Sequence, residues 1–78
     1  MADEKELQKL FGRNVRQLRE AQSLTQDEFS RKAGINRSYL GGVERGQRTI
    51  CMDNIAKIAS ALGVTPDILF KSEPPTVS

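Results

Sequence analysis

The side chains of this sequence best suited to chemistry are its arginines, and the chemistry they suit is anion binding. Between Arg13 and Arg48 stand eight basic residues and four acidic ones, although the whole 78-residue chain has a formal net charge of only +2. Basic charge is therefore concentrated in the first two thirds, as a footprint for a polyanion would be. An ordinary solvated surface has the same composition, so placement must decide. Other chemistries lack their residues. There is no histidine, the commonest general acid–base, and the single cysteine, Cys51, can neither close an internal disulfide nor build a metal cluster. No nucleophile–base pair or glycine-rich phosphate loop is readable. The expectation is a protein that binds and does not catalyse, with no metal and no cofactor.

The elements that position these residues read as all-α: five short helices and a tail, with no alternating strand pattern. One domain with one modest core fits this length. Helix one runs from about Glu4 to Ala21, with Leu7, Leu10, Phe11, Val15 and Leu18 at three- and four-residue steps. Thr25 caps helix two and Glu28 completes a capping box; Phe29 and Ala33 face inward and Gly34 ends the helix. Asn36 caps helix three, which buries Leu40 and Val43 and stops at Gly46. Helix four, from about Met52 to Leu62, carries Met52, Ile55, Ile58, Ala59 and Leu62 on one side and ends at Gly63. Thr65-Pro66-Asp67 opens a fifth helix that closes near Lys71. The domain is thus assigned to residues 1–71, and the polar, proline-rich residues 72–78 to a disordered tail.

Only "GIN" separates helices two and three, a helix-turn-helix outline that many plain helical hairpins share. Helix three also contains two consecutive glycines, Gly41 and Gly42, each costing about 1 kcal/mol relative to alanine in a helix interior. At about 100° per residue, Leu40 and Val43 define the inward direction, while Ser38, Gly41, Gly42 and Arg45 fall on the opposite side, flanked by Arg37 and Tyr39. The glycines are expected on the solvent side, stripping bulk from a surface that fits something else. A B-DNA major groove admits one α-helix, whose N-terminal residues contact base edges. Arg37 is suited there to guanine O6 and N7, and the Ser38 hydroxyl to a base or a phosphate.

"LTQDEFSRKAGINRSYLGGVERGQR", followed by "NIAKIASALGVTPDILF", resembles the Cro/C1-type (XRE) helix-turn-helix family over about Phe11 to Phe70. Within it, the short chain and the "NRSYLGGVERGQR" segment most resemble controller proteins of restriction–modification systems. The resemblance implies a compact lambda-repressor-like domain and a sequence-specific transcriptional regulator that occupies an operator on double-stranded DNA. It implies that Gln26 holds a phosphate, where an amide beside a helix N-terminus favours an anion, and that Arg37 and Ser38 are the main readers, with Asn36 beside them. Tyr39 is suited to a thymine methyl, to a phosphate, or to packing against helix two. Arg45 and Arg48 are candidates for phosphate or minor groove; Arg13 and Arg16 serve phosphate or merely a solvated face. The family's later contact position falls on Gly42, which has no side chain to read with. Arg19 and Glu44 match a structural ion pair, and Cys51 stands where relatives commonly have a serine N-cap. Exposed Asp27 would be a polymerase contact by the same analogy.

Ile68, Leu69 and Phe70 are consecutive and cover some 200° of a helix circumference, more than one core can bury. The surplus is expected to face a partner, and in controller-like relatives this region forms a two-fold dimer. A homodimer matches a palindromic operator with half-sites about 34–36 Å apart. No stretch approaches the roughly 18 apolar residues of a membrane span, and "MADEKELQKL" lacks the order of a signal peptide, which points to the cytoplasm. The same outline also serves protein-interaction modules, coactivator- or antitoxin-like. Salt dependence of duplex binding separates the two readings.

Overall fold

Local capping chemistry sets the helix boundaries. The computed structural model describes residues 3–72, which form α1 (Glu4–Ala21), α2 (Gln26–Ala33), α3 (Arg37–Glu44), α4 (Met52–Leu62) and a terminal 3-10 helix, Pro66–Phe70. No strand occurs among the described residues. Asp3 starts α1 by accepting from the Glu6 amide at 2.8 Å. Thr25 and Glu28 form the full reciprocal box at the start of α2, with bonds of 3.1 and 2.9 Å. Those bonds to Thr25 hold the Glu28 carboxyl below its usual pKa. Gly34 ends α2 in the left-handed region at φ 73°, which a side chain adopts only at a cost. Two residues later the Asn36 side chain accepts from the amides of Ser38 and Tyr39 and starts α3.

The fifth element is not an α-helix. It closes with i→i+3 bonds, Ile68 N–H to the Thr65 carbonyl at 3.1 Å and Lys71 N–H to the Ile68 carbonyl at 3.5 Å. Five residues are too few to gain from the i→i+4 ladder, and the tighter turn suffices. The expected Thr65 cap takes another form, since the hydroxyl makes no cap bond to the backbone. It bonds the Asp67 carboxylate instead, holding that group's pKa down.

Phe11, Val15 and Leu18 from α1, Phe29 from α2, Leu40 and Val43 from α3, Ile58 and Leu62 from α4, and Leu69 form one buried cluster. Two expectations of the periodicity are corrected at helix ends. Leu7 is 42% exposed and Met52 82% exposed. The period gives their direction, but α1 begins before the core does and Met52 is the first residue of α4. Leu7 instead lines an open groove with Phe11, Ile50, Ile55 and Phe70.

Two contacts lock α1 to its neighbours. At Gly12 a methyl group would run into the carbonyl oxygen of Val43 and stand 2.9 Å from that of Glu44, so α1 and α3 touch backbone to backbone. Asn14, fully buried, donates to the carbonyls of Leu69 at 2.9 Å and Lys71 at 3.0 Å. Arg13 donates to Asn14 and to the carbonyls of Lys71 and Ser72, tying the chain's end to α1. Residues 73–78 of the expected tail lie outside the described residues.

Candidate nucleic-acid interface

A buried charge network holds α3 against α1 and α2. The Arg19 guanidinium donates bidentately to the Glu44 carboxylate at 2.7 and 3.0 Å and also to the Leu24 carbonyl at 2.7 Å. Both side chains of the pair are nearly buried, at 9% and 3% exposure. Glu44 raises the pKa of Arg19 further, chiefly through its hydrogen bonds. The Gln26 amide donates to the same carboxylate at 3.0 Å. Gln26 therefore stands in the first turn of α2 with one N–H of its amide committed to Glu44 and its carboxamide fixed in orientation. One carboxylate thereby locks the orientation of three helices.

On the outer side of this lock the first turn of α3 is open. Asn36, Arg37 and Ser38 are all exposed. The Asn36 oxygen is spent on capping, which leaves its NH2 group to face outward. Tyr39 is half-buried, and its hydroxyl donates to the Thr49 carbonyl at 3.1 Å. That bond anchors it to the loop after α3 rather than to α2. The Arg48 guanidinium lies over the Tyr39 ring, 5.3 Å from its centroid. Arg45 donates to the Gln47 side chain at 3.1 Å and reaches back along the helix.

The two glycines correct the sequence reading. Both are buried, not open to solvent. Their covering atoms do not belong to the apolar core: a Cβ at Gly41 would stand 3.2 Å from Nη1 of Arg45 and 4.0 Å from the Gln26 amide. At Gly42 it would strike Cγ of Arg48 and lie 3.1 Å from its Cδ. The wheel places the glycines correctly away from the core. It does not show that long arms from the helix end and the next loop fold back over them. The middle turn of α3 is consequently clothed by Arg45 and Arg48, not bare.

Other cations are used elsewhere. Arg13 is engaged with Asn14 and the carbonyls of Lys71 and Ser72. Arg16 pairs with Glu20 at 3.3 Å, both exposed. Asp27 is exposed and pairs with Arg31 at 2.8 Å. Among the three residues expected at a partner surface, Leu69 is fully buried inside its own chain and is unavailable. Phe70 is 38% exposed, with its ring 5.1 Å from that of Phe11. Ile68 packs partly against the core. At three residues per turn the two flank Leu69 on opposite sides. Gly12 and Asn14 went unnoticed in the sequence. Gly12 gives the same signal as Gly41, a glycine inside a helix; Asn14 gives none, because its partners are 55 and 57 residues away.

This architecture has known counterparts. Residues 15–69 match the HTH_3 helix-turn-helix family. The control protein C.BamHI of Bacillus amyloliquefaciens is 42% identical over 62 residues, spanning 78% of this chain and 76% of its own. The control protein C.MunI of a Mycoplasma species is 34% identical over 61 residues, spanning 77% and 82%. Among solved structures, the restriction–modification controller protein C.AhdI of Aeromonas hydrophila superposes with a TM-score of 0.78 at 46% identity, covering 81% of this chain and 96% of that one. No helix among the described residues is long and apolar enough to cross a membrane. From the family match, the fold and these relatives together, the chain belongs to the helix-turn-helix family of transcriptional regulators and resembles restriction–modification controller proteins.

Proposed function

We propose that the protein is a sequence-specific DNA-binding regulator of the restriction–modification controller type, working in the cytoplasm as a homodimer on a palindromic operator. The observation that carries this reading is the first turn of α3. Arg37 and Ser38 stand exposed there on a helix whose other side is locked by the buried Arg19–Glu44 pair. A rigid helix with a free guanidinium at its N-terminal end suits insertion in a major groove, where an arginine fork pairs with guanine. Arg45 and Arg48 extend the same surface with positive charge, and Gln26 offers the second N–H of its amide, beside the open N–H groups of the first turn of α2, to a phosphate.

Dimerisation is the second part of the proposal. Ile68 and Phe70 would supply the two-fold contact, without Leu69. The half-exposed Phe70 ring continues into the apolar groove beside Leu7, so the surface extends past the 3-10 helix. Activation, where the operator's position allows it, would run through a polymerase contact at Asp27, which is exposed on α2.

Selection of bound sites from a random duplex library, with wild type and Arg37→Ala side by side, tests the reading. A palindromic motif relaxed by Arg37→Ala at one position per half-site supports it. Enrichment of no motif at moderate salt overturns it. Sedimentation of wild type and Phe70→Glu tests the dimer: a wild-type dimer that the charge dissociates is expected, and a wild-type monomer on DNA refutes that part.

A further inference from the structure

At position 42 α3 carries no side chain, and another residue occupies that space. The stem of Arg48 lies across Gly42 so closely that a single methyl group there would strike Cγ and approach Cδ to 3.1 Å. The far end of the same side chain rests over the Tyr39 ring at 5.3 Å. Tyr39 is itself fixed, because its hydroxyl donates to the Thr49 carbonyl, the residue that follows Arg48. Three features thus converge on one arginine: an absent Cβ under its stem, an aromatic face under its guanidinium, and a hydrogen bond pinning the loop that carries it.

We infer that Gly42 and Tyr39 form a seat that holds Arg48 against the recognition helix before DNA arrives, so that Arg48 reads a base in place of a side chain at position 42. This deepens the DNA-binding proposal and rests on it. The glycine is a positioning residue, and its cost in helix propensity is explained by what it makes room for. A guanidinium held this way loses less freedom on binding than one on a mobile loop. An arginine fork also carries a choice of base that a lysine's point charge does not. Arg45 differs, since what a Cβ at Gly41 would meet is only the tip of its side chain, 3.2 Å away, which can move aside.

The test uses the full chain in the duplex selection, followed by affinity measurements on the selected site and on unrelated DNA. Thermal unfolding confirms that each variant is folded; Arg48 is exposed, so Arg48→Ala and Arg48→Lys should leave the melting curve in place. Arg48→Lys should relax one base position per half-site while retaining the salt dependence. The discrimination lost at that position should be about 5- to 150-fold per half-site. Gly42→Ala should relax the same position and weaken specific binding by about 2- to 12-fold, the cost of ordering a freed side chain. In an Arg48→Ala background, Gly42→Ala should have no further effect on the motif. If Arg48→Ala weakens all duplexes equally and leaves the motif intact, Arg48 is a phosphate contact and the inference fails. Should Arg48→Ala alter the motif while Gly42→Ala does not, the seat is refuted. A motif that responds to Arg37→Ala but to neither change overturns this inference and leaves the DNA-binding proposal standing; absence of any wild-type motif overturns both.

Discussion

Replacing Arg19 by methionine tests whether the buried charge pair is what keeps the reading helix in place. The Glu44 carboxylate accepts two bonds from Arg19 and one from Gln26, and its side chain is only 3% exposed. Methionine fills much of the arginine stem's volume but leaves the carboxylate with a single amide donor. Breaking one partner of such a buried pair costs about 3–5 kcal/mol. A chain of this size has roughly 4–12 kcal/mol of total stability, so the loss is a large fraction of it. The melting temperature should fall by at least about 12 °C at the usual sensitivity of small domains. The double variant Arg19→Met/Glu44→Leu removes the stranded charge. It should recover stability relative to Arg19→Met, leaving only the Leu24 carbonyl and the Gln26 amide without these partners, about 1–3 kcal/mol for each that water does not reach. Urea unfolding followed by far-UV circular dichroism reads all four corners of this cycle. A loss below about 1 kcal/mol for Arg19→Met, or a double variant as unstable as the sum of the singles, would refute the reasoning.

Cys51 occupies the N-cap of α4 without making a side-chain cap bond, so Cys51→Ser should add about 0.5–1 kcal/mol, seen as a raised urea midpoint. Gly12→Ala forces a methyl against the carbonyls of Val43 and Glu44; overpacking of this kind costs about 1–3 kcal/mol, and the melting temperature should drop despite alanine's better helix propensity. The Glu28 carboxyl titrates below its usual value because of Thr25, so its contribution to stability is present above the unfolded pKa and lost as pH falls through the lower folded one. Glu28→Gln should therefore lower the melting temperature at neutral pH, and the gap from wild type should narrow in strong acid as the Glu28 carboxylate is protonated. Finally, the proposed interface carries three exposed arginines per protomer, Arg37, Arg45 and Arg48, so a dimer's log K against log salt should be no steeper than about −6. A slope near −14, expected if all eight central cations held phosphates, would show that this count of cations at the interface is wrong.

The helix boundaries were legible because capping is local. Thr25 with Glu28, Asn36 with the next two amides, and Gly34 and Gly63 at φ 73° each act within four residues of themselves. Burial at helix ends was not, since period gives direction but not depth, and Met52 points along a side of α4 where the core has already ended. Contacts across the chain were invisible for a different reason. Nothing near Asn14 signals that it satisfies carbonyls of the terminal segment, and nothing near Gly41 or Gly42 signals that Arg45 and Arg48 fold back over them. The run Ile68-Leu69-Phe70 shows both sides: its surplus of apolar surface was readable, but which residue the core takes depends on the 3-10 geometry.

The arginines show how one residue type serves two ends in a small domain. Arg19 is held with Glu44 inside the fold, and Arg13 clamps the terminal backbone. Arg16 and Arg31 are paired with carboxylates one turn away on their own helices. Three of those four are matched by a carboxylate, so the excess of positive charge between Arg13 and Arg48 rests on Arg13, Lys32, Arg37, Arg45 and Arg48 against Glu28. Arg37, Arg45 and Arg48 are exposed on or beside α3, and two of them reach its surface from beyond its last turn. An eight-residue helix with two glycines has few positions from which to read. Arms from its end and the following loop add to its outer surface without lengthening the helix. The double glycine is then no defect in the helix: the space of the missing methyl at Gly42 is taken by the Arg48 stem, and Gly41 gives the Arg45 tip room to lie close.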